Sequence, residues 1–151
     1  MNAANLTLLT ELARAARDGA AQRQAQARAS LEESCRQLDL LRNYARDYQR
    51  RAQSTLADGV DPAAQNNLRA FVGKLAHAIE TQANEVERRG AVLAACDGEL
   101  VQAQTRLKSL EKLAERNGRR VLKREAGREQ RSTDEIAQNM HAGRRAAAES
   151  W

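Results

Sequence analysis

The chain has 151 residues and a formal charge of +5, with aromatics at 3% and a single proline. So few large rings exclude a compact globule built on several aromatic anchors, and the excess of Ala, Arg, Gln, Leu and Glu favours long helices over a mixed fold. The length suits a single domain, residues 1–151, whose core is no thicker than a seam of Leu, Ala and Val.

Charge is spread unevenly. Residues 1–57 carry 9 Lys/Arg against 6 acids, residues 58–118 carry 8 against 9, and residues 119–151 carry 8 against 5. A basic end of this kind suits an anionic partner, whether nucleic acid, anionic lipid or an acidic protein, although coiled-coil surfaces are also commonly this charged. No apolar run approaches the roughly 20 residues that span a bilayer. The N-terminus, MNAANLTLLTELARAARDG, lacks the basic start and unbroken apolar block of a secretory signal. The expected location is therefore cytoplasmic, with any membrane contact made indirectly.

The first helix is expected from about residue 3 to about 57. Leu31, Leu38, Ala45 and Ala52 fit one heptad position, and Ala27, Ser34, Leu41, Tyr48 and Thr55 fit the other. Leu6, Ala13 and Ala20 continue the second position upstream. Within AARDGAAQRQAQARAS large apolar groups are scarce, so helices there either approach closely through alanine or are weakly held. Gly19 in this stretch costs about 1 kcal/mol relative to alanine.

The stretch LADGVDPAAQNN interrupts the pattern at residues 56–67. Gly59 suits the left-handed position just past a helix end, where a Cβ would clash. Asp61 is placed to cap the next helix, and Pro62 fits its first turn because that N–H has no partner to lose. The predicted turn is 58–61, and a second helix follows from about residue 62 to about 145.

The second helix carries the clearer seam. Val72, Ile79, Val86, Leu93, Leu100, Leu107, Ala114 and Val121 recur every seven residues. Leu68, Leu75, Gln82, Arg89, Cys96, Ala103, Leu110 and Asn117 fill the companion position. Two seams joined by a short connection fold back on each other, which predicts an all-α, antiparallel two-helix coiled coil. Its paired arm would be about 80 Å long. Gln82 and Arg89 are expected soft spots. Folding near residue 60 sets residue i opposite about 120 − i, so residues beyond about 118 overhang without a partner in the first helix.

That register puts Cys35 and Cys96 about 15 Å apart along the axis. A disulfide requires Cα atoms within about 7 Å, so two free thiols are expected. His77 and His141 have no metal-ligand spacing to cysteine or carboxylate. No phosphate-binding glycine motif or nucleophile–base pair occurs, and a two-helix arm offers no enclosed pocket to orient a substrate. The sequence reads as a non-enzyme that needs no cofactor and no metal.

Four segments together carry a resemblance. They are LDLLRNYARDYQRRAQSTLADGV with Tyr44 and Tyr48 one turn apart, NNLRAFVGKLAHAIETQ, RLKSLEKLAER, and DEIAQ at 134–138. Their order and spacing around one turn resemble the FliJ family of flagellar type III export, over about residues 6–145. The resemblance implies a cytoplasmic stalk, similar to the central stalk of rotary ATP synthases, peripheral at the cytoplasmic face of the export apparatus. It implies a stalk inserted in a hexameric export ATPase, linked to the cytosolic domain of the export gate, and assisting export chaperones.

The positions matching the family's gate contact are Phe71, Leu75, Ala78 and Gln82. Leu75 also falls on the seam, and Gln82 stands where some members carry histidine. Tyr44 and Tyr48 are expected to pack the hairpin end. At the other end, Arg119, Arg120, Lys123 and Arg124 form two adjacent cation pairs suited to acidic loops lining the ATPase ring. Two other readings stand beside this one. An equivalent stalk of a virulence type III system shares the fold, though DEIAQ and the paired tyrosines favour the flagellar branch. A nucleic-acid-binding coiled coil is disfavoured by the absence of a recognisable reader module and the mixing of arginine with acid.

Overall fold

A computed structural model describes residues 2–59 and 61–150, apart from the side chains of Leu56 and Ala57. Helix α1 runs Ala3–Ala57 and helix α2 runs Pro62–Glu149, with no strand among the described residues. Asn2 caps α1, its Oδ1 accepting from the Ala4 amide at 3.3 Å. Between the helices, Gly59 has φ +75°, the left-handed conformation that a side chain resists. Asp61 Oδ1 accepts from the Ala63 amide at 3.4 Å and so caps α2, which opens on Pro62. Val60, inside the expected turn, lies outside the described residues.

The chain divides into two compact units, residues 15–104 and residues 1–14 with 105–151. In each, a segment of α1 pairs with a segment of α2 running the opposite way. Within residues 15–104, Gln24 meets Asp97, Ser30 meets Arg89, Ser34 meets Gln82 and Tyr48 meets Phe71. Partner numbers fall as α1 numbers rise, within a few residues of the predicted register. The fold is the antiparallel two-helix coiled coil that the heptads imply.

The core of residues 15–104 is lopsided in residue size. On α1 the buried residues are Ala20, Ala27, Ser34 and Leu38, three of them small. On α2 the apolar seam residues from Leu68 to Ala103 are half-buried. Bulky α2 side chains fold over small α1 side chains, which are thereby covered while their neighbours keep one edge in water. Of the two alternatives left open for the alanine-rich stretch, close approach is the one realised: Ala20 is only 2% exposed.

Polar residues in this seam are paired. Ser34 is 0% exposed, and the Gln82 amide donates to its carbonyl oxygen and its Oγ, both at 3.0 Å. Arg89 donates to the Ser30 carbonyl at 2.9 Å and to Glu85 Oε1 at 2.8 Å. Glu85 also accepts from Arg88 at 2.6 Å; with the Arg88 bonds first and those of Arg89 next, its carboxyl is held down at about 2. Gln24 donates to Asp97 Oδ1 at 2.7 Å. The expectation that Gln82 and Arg89 loosen the seam is corrected: each reaches across to a backbone carbonyl and clasps the opposite helix. No buried side-chain nitrogen or oxygen among the described residues lacks a partner. Cys35 and Cys96 are free and half-buried.

In the other unit, Leu6, Thr10 and Ala13 of α1 and Leu107 of α2 are buried. Thr10 was not assigned to the seam; its hydroxyl is satisfied within its own helix by the Leu6 carbonyl at 2.8 Å. Arg14 and Glu111 approach to 3.6 Å, both about half-exposed, a pairing of small energetic weight. Coverage ends after Asn117, and residues 118–150 are exposed throughout. Val121, next in the heptad series, is already 43% exposed. The second helix therefore overhangs, as the register requires.

Leu107→Ala should destabilise the protein by about 2–5 kcal/mol, because it leaves a cavity in a packed site. Leu122→Ala, at a side chain 68% exposed, should change stability by no more than about 0.5 kcal/mol. Urea denaturation followed by circular dichroism measures both; equal losses would contradict the burial pattern.

Candidate functional site

Two groups of residues carry the functional expectations, one in each unit. In residues 15–104, Phe71, Leu75, Ala78 and Gln82 lie on successive turns of α2. Only Phe71 is exposed, at 43%. Leu75, Ala78 and Gln82 are half-buried along the edge of the seam. The Gln82 amide is occupied by Ser34, with Gln37 Oε1 at 3.3 Å as a further acceptor. It is spent on the hairpin's own packing. The four positions are therefore one projecting ring followed by three seam-edge residues.

Phe71 owes its placement to α1. Its ring lies against Tyr48, with centroids 4.6 Å apart and planes tilted by 48°. The Arg51 guanidinium sits 5.6 Å from the Tyr48 ring centroid, a cation–π arrangement that holds the tyrosine in place. Tyr48 thus packs between the helices as expected. Tyr44 does not, being 52% exposed. The one-turn spacing of the two tyrosines on a single helix implied a shared environment. The face of α1 turns towards solvent over that step.

Sequence reasoning missed Leu40, which is 56% exposed. Leu40, Tyr44 and Tyr48 recur every four residues, each about 40° further round α1 than the last, so the row winds from solvent at Leu40 and Tyr44 to the Phe71 contact at Tyr48. A signal was present, since Leu40 precedes the seam residue Leu41 and adjacent residues on a helix point about 100° apart. The result is an exposed apolar strip, Leu40, Tyr44 and Phe71, suited to a partner's apolar side chains.

The second group lies in residues 105–151. Arg119, Arg120, Lys123 and Arg124 are all exposed, but they do not act as one cluster. Arg119 approaches Glu115 at 3.5 Å, one turn back on α2. Arg120, Lys123 and Arg124 instead share a shallow hollow with Gly127, Arg128 and Arg131. Arg128 and Arg131 were missed as members, although their spacing from Arg120 and Arg124 follows the helical repeat. Linear adjacency made Arg119 look equivalent to Arg120, but Arg119 turns back to Glu115 while Arg120 lines the hollow.

No group of His, Cys, Asp and Glu able to hold a metal ion occurs among the described residues. No described helix is long and apolar enough to cross a membrane. His77 and His141 are both exposed.

A family profile described as "Flagellar FliJ protein" matches residues 1–146. Among solved structures, a YscO homologue from Chlamydia trachomatis is similar over 92% of this chain and 90% of its own, with a TM-score of 0.68 at 20% sequence identity. That likeness is one of fold. The comparison with curated proteins gives no match. On a profile that spans nearly its whole length, the chain belongs to the FliJ family of flagellar type III protein export.

Proposed function

We propose that this protein is the cytoplasmic stalk of the flagellar export ATPase: it inserts in the hexameric ring, contacts the cytosolic domain of the export gate, and assists export chaperones. The observation that carries the reading is the charged end of α2, where residues 118–150 are exposed and Arg120, Lys123, Arg124, Arg128 and Arg131 make no ion pair among the described residues. A long helix with no covering partner and a one-signed face suits insertion among acidic loops. In such a site the charges act mainly by steering and orienting the encounter. Arg120, Lys123 and Arg124 are the ring contacts in this reading, with Arg119 at their margin.

The gate contact is assigned to the apolar strip at Phe71, together with Tyr44 and Leu40. Leu75, Ala78 and Gln82, half-buried along the seam, serve it by holding α2 against α1 over the following three turns. The role is mechanical and not catalytic, and the protein reaches the membrane only through the gate.

Binding of the full-length chain to the purified export ATPase and to the gate's cytosolic domain, measured side by side, tests the assignment. Reversing Arg119, Arg120, Lys123 and Arg124 to Glu should weaken ATPase binding by about tenfold at low salt and leave gate binding unchanged. Equal ATPase binding by wild type and variant across a salt series would reject the contact.

Phe71→Ala should do the reverse, weakening gate binding while ring binding holds. Its stability cost should be about 1–2 kcal/mol, an aromatic pair plus a partly buried ring, and below the roughly 3–5 kcal/mol of a core phenylalanine. A large fall in melting temperature with unchanged gate affinity would assign Phe71 to the core alone.

A further inference from the structure

The geometry points to a seat for an acidic α-helix of the partner on the side of α2 formed by Arg120, Lys123, Arg124, Arg128 and Arg131, with Gly127 as the point of closest approach. The inference rests on the stalk reading proposed above and adds to it the kind of element that docks and the residue that admits it.

These residues succeed one another at offsets of 3, 4, 7, 8 and 11 from Arg120, counting Gly127. That is the repeat of a single helix face. The row spans three turns, about 16 Å. None of its five cations makes an ion pair among the described residues, whereas neighbouring Arg119 is paired to Glu115. Acid and base alternate in the sequence here, but on the helix they separate. At about 100° per residue, Glu125 and Glu129 fall on the opposite side, together with the exposed Leu122 and Ile136. Asp134 and Glu135 close the row at its C-terminal end.

Gly127 is the informative residue. Glycine in an exposed helix interior costs about 1 kcal/mol relative to alanine. Nothing in the helix itself requires it: its φ is not positive, and a Cβ built there meets nothing within 4 Å. What glycine provides is a gap in the middle of the cation row, open to a side chain from outside and flanked by charge above and below. A straight helix bearing acids at the same repeat would set its charges against the row and one of its side chains into the gap.

A nucleic acid fits this face less well. Amides inside a helix are already bonded in the helical ladder, so Gly127 offers no free N–H group to a phosphate. The row carries no aromatic side chain on which a base would stack. Exposed pairs are individually weak, so several must act together and the contact must be strongly salt-dependent.

The test uses the full-length chain and purified export ATPase in a binding titration, with helicity followed by circular dichroism. Leucine is a better helix former than glycine, so Gly127→Leu should keep or raise helicity while weakening ATPase binding about tenfold by filling the gap. The pair Arg128→Glu and Arg131→Glu should weaken it at least as much at low salt, and Arg144→Glu, at an exposed residue on another side of α2, should leave it within about twofold. If wild type binds and Gly127→Leu and the Arg128/Arg131 pair bind equally well, the seat is wrong while the stalk reading stands. If wild type fails to bind the ATPase, the stalk reading falls, and the seat with it. If a DNA duplex binds wild type and loses affinity in the Arg128/Arg131 variant while ATPase binding holds, the face serves nucleic acid and the proposal is overturned.

Discussion

The structure depends on closing a seam between two helices that have few large side chains to close it with. In residues 15–104 the solution is close approach. Ala20, Ala27 and Ser34 on α1 are small enough for the α2 backbone to come near, and the larger Leu, Ile and Val of α2 cover them. Closeness then creates a second requirement, because polar groups drawn into the seam lose water and must find protein partners. Ser34 is the extreme case, fully covered and satisfied by Gln82. Arg89 reaching the Ser30 carbonyl is the other. Such bonds form only when the two helices are correctly aligned, so they discriminate between registers more sharply than alanine against leucine can.

The fold was largely legible in the sequence, because a seven-residue apolar repeat and a Gly–Asp–Pro stop are local signals with direct geometric meaning. Helical periodicity named the seam of α2 from Leu68 to Asn117, and Gly59 and Asp61 adopt the roles their chemistry implied. The sense of the polar seam residues was not legible. Whether a glutamine at a core position loosens or clasps depends on what stands opposite, and opposite Gln82 is a serine small enough to admit its amide. Thr10 was passed over for a related reason: a threonine that bonds its own helix four residues back behaves, once buried, as an apolar group.

The candidate sites were less legible, since a binding surface is defined by which faces are left uncovered. Phe71 and Tyr48 could be singled out as rare aromatics, but the exposure of Tyr44 and Leu40 follows from a rotation of the α1 face that only the packed helices define. The basic end was recognised by composition, whereas its true membership follows the helix surface: Arg119 leaves the group and Arg128 and Arg131 join it. For a protein that works by contact and not by reaction, the division is informative. The seam fixes where each exposed group stands, and the exposed groups face partners.

The most direct test of the central claim, a single register held by paired polar layers, is pulsed electron resonance between spin labels at Arg36 and Asn84. Both residues are exposed, and they flank the Ser34–Gln82 layer from opposite helices. The expected result is one narrow distribution at short distance in the wild type. With Gln82 and Arg89 both replaced by leucine, the same mean should persist with a visibly broader distribution, since greasy side chains tolerate slippage that directed bonds do not. A long or bimodal distance in the wild type, or a width unchanged by the leucines, would contradict the claim.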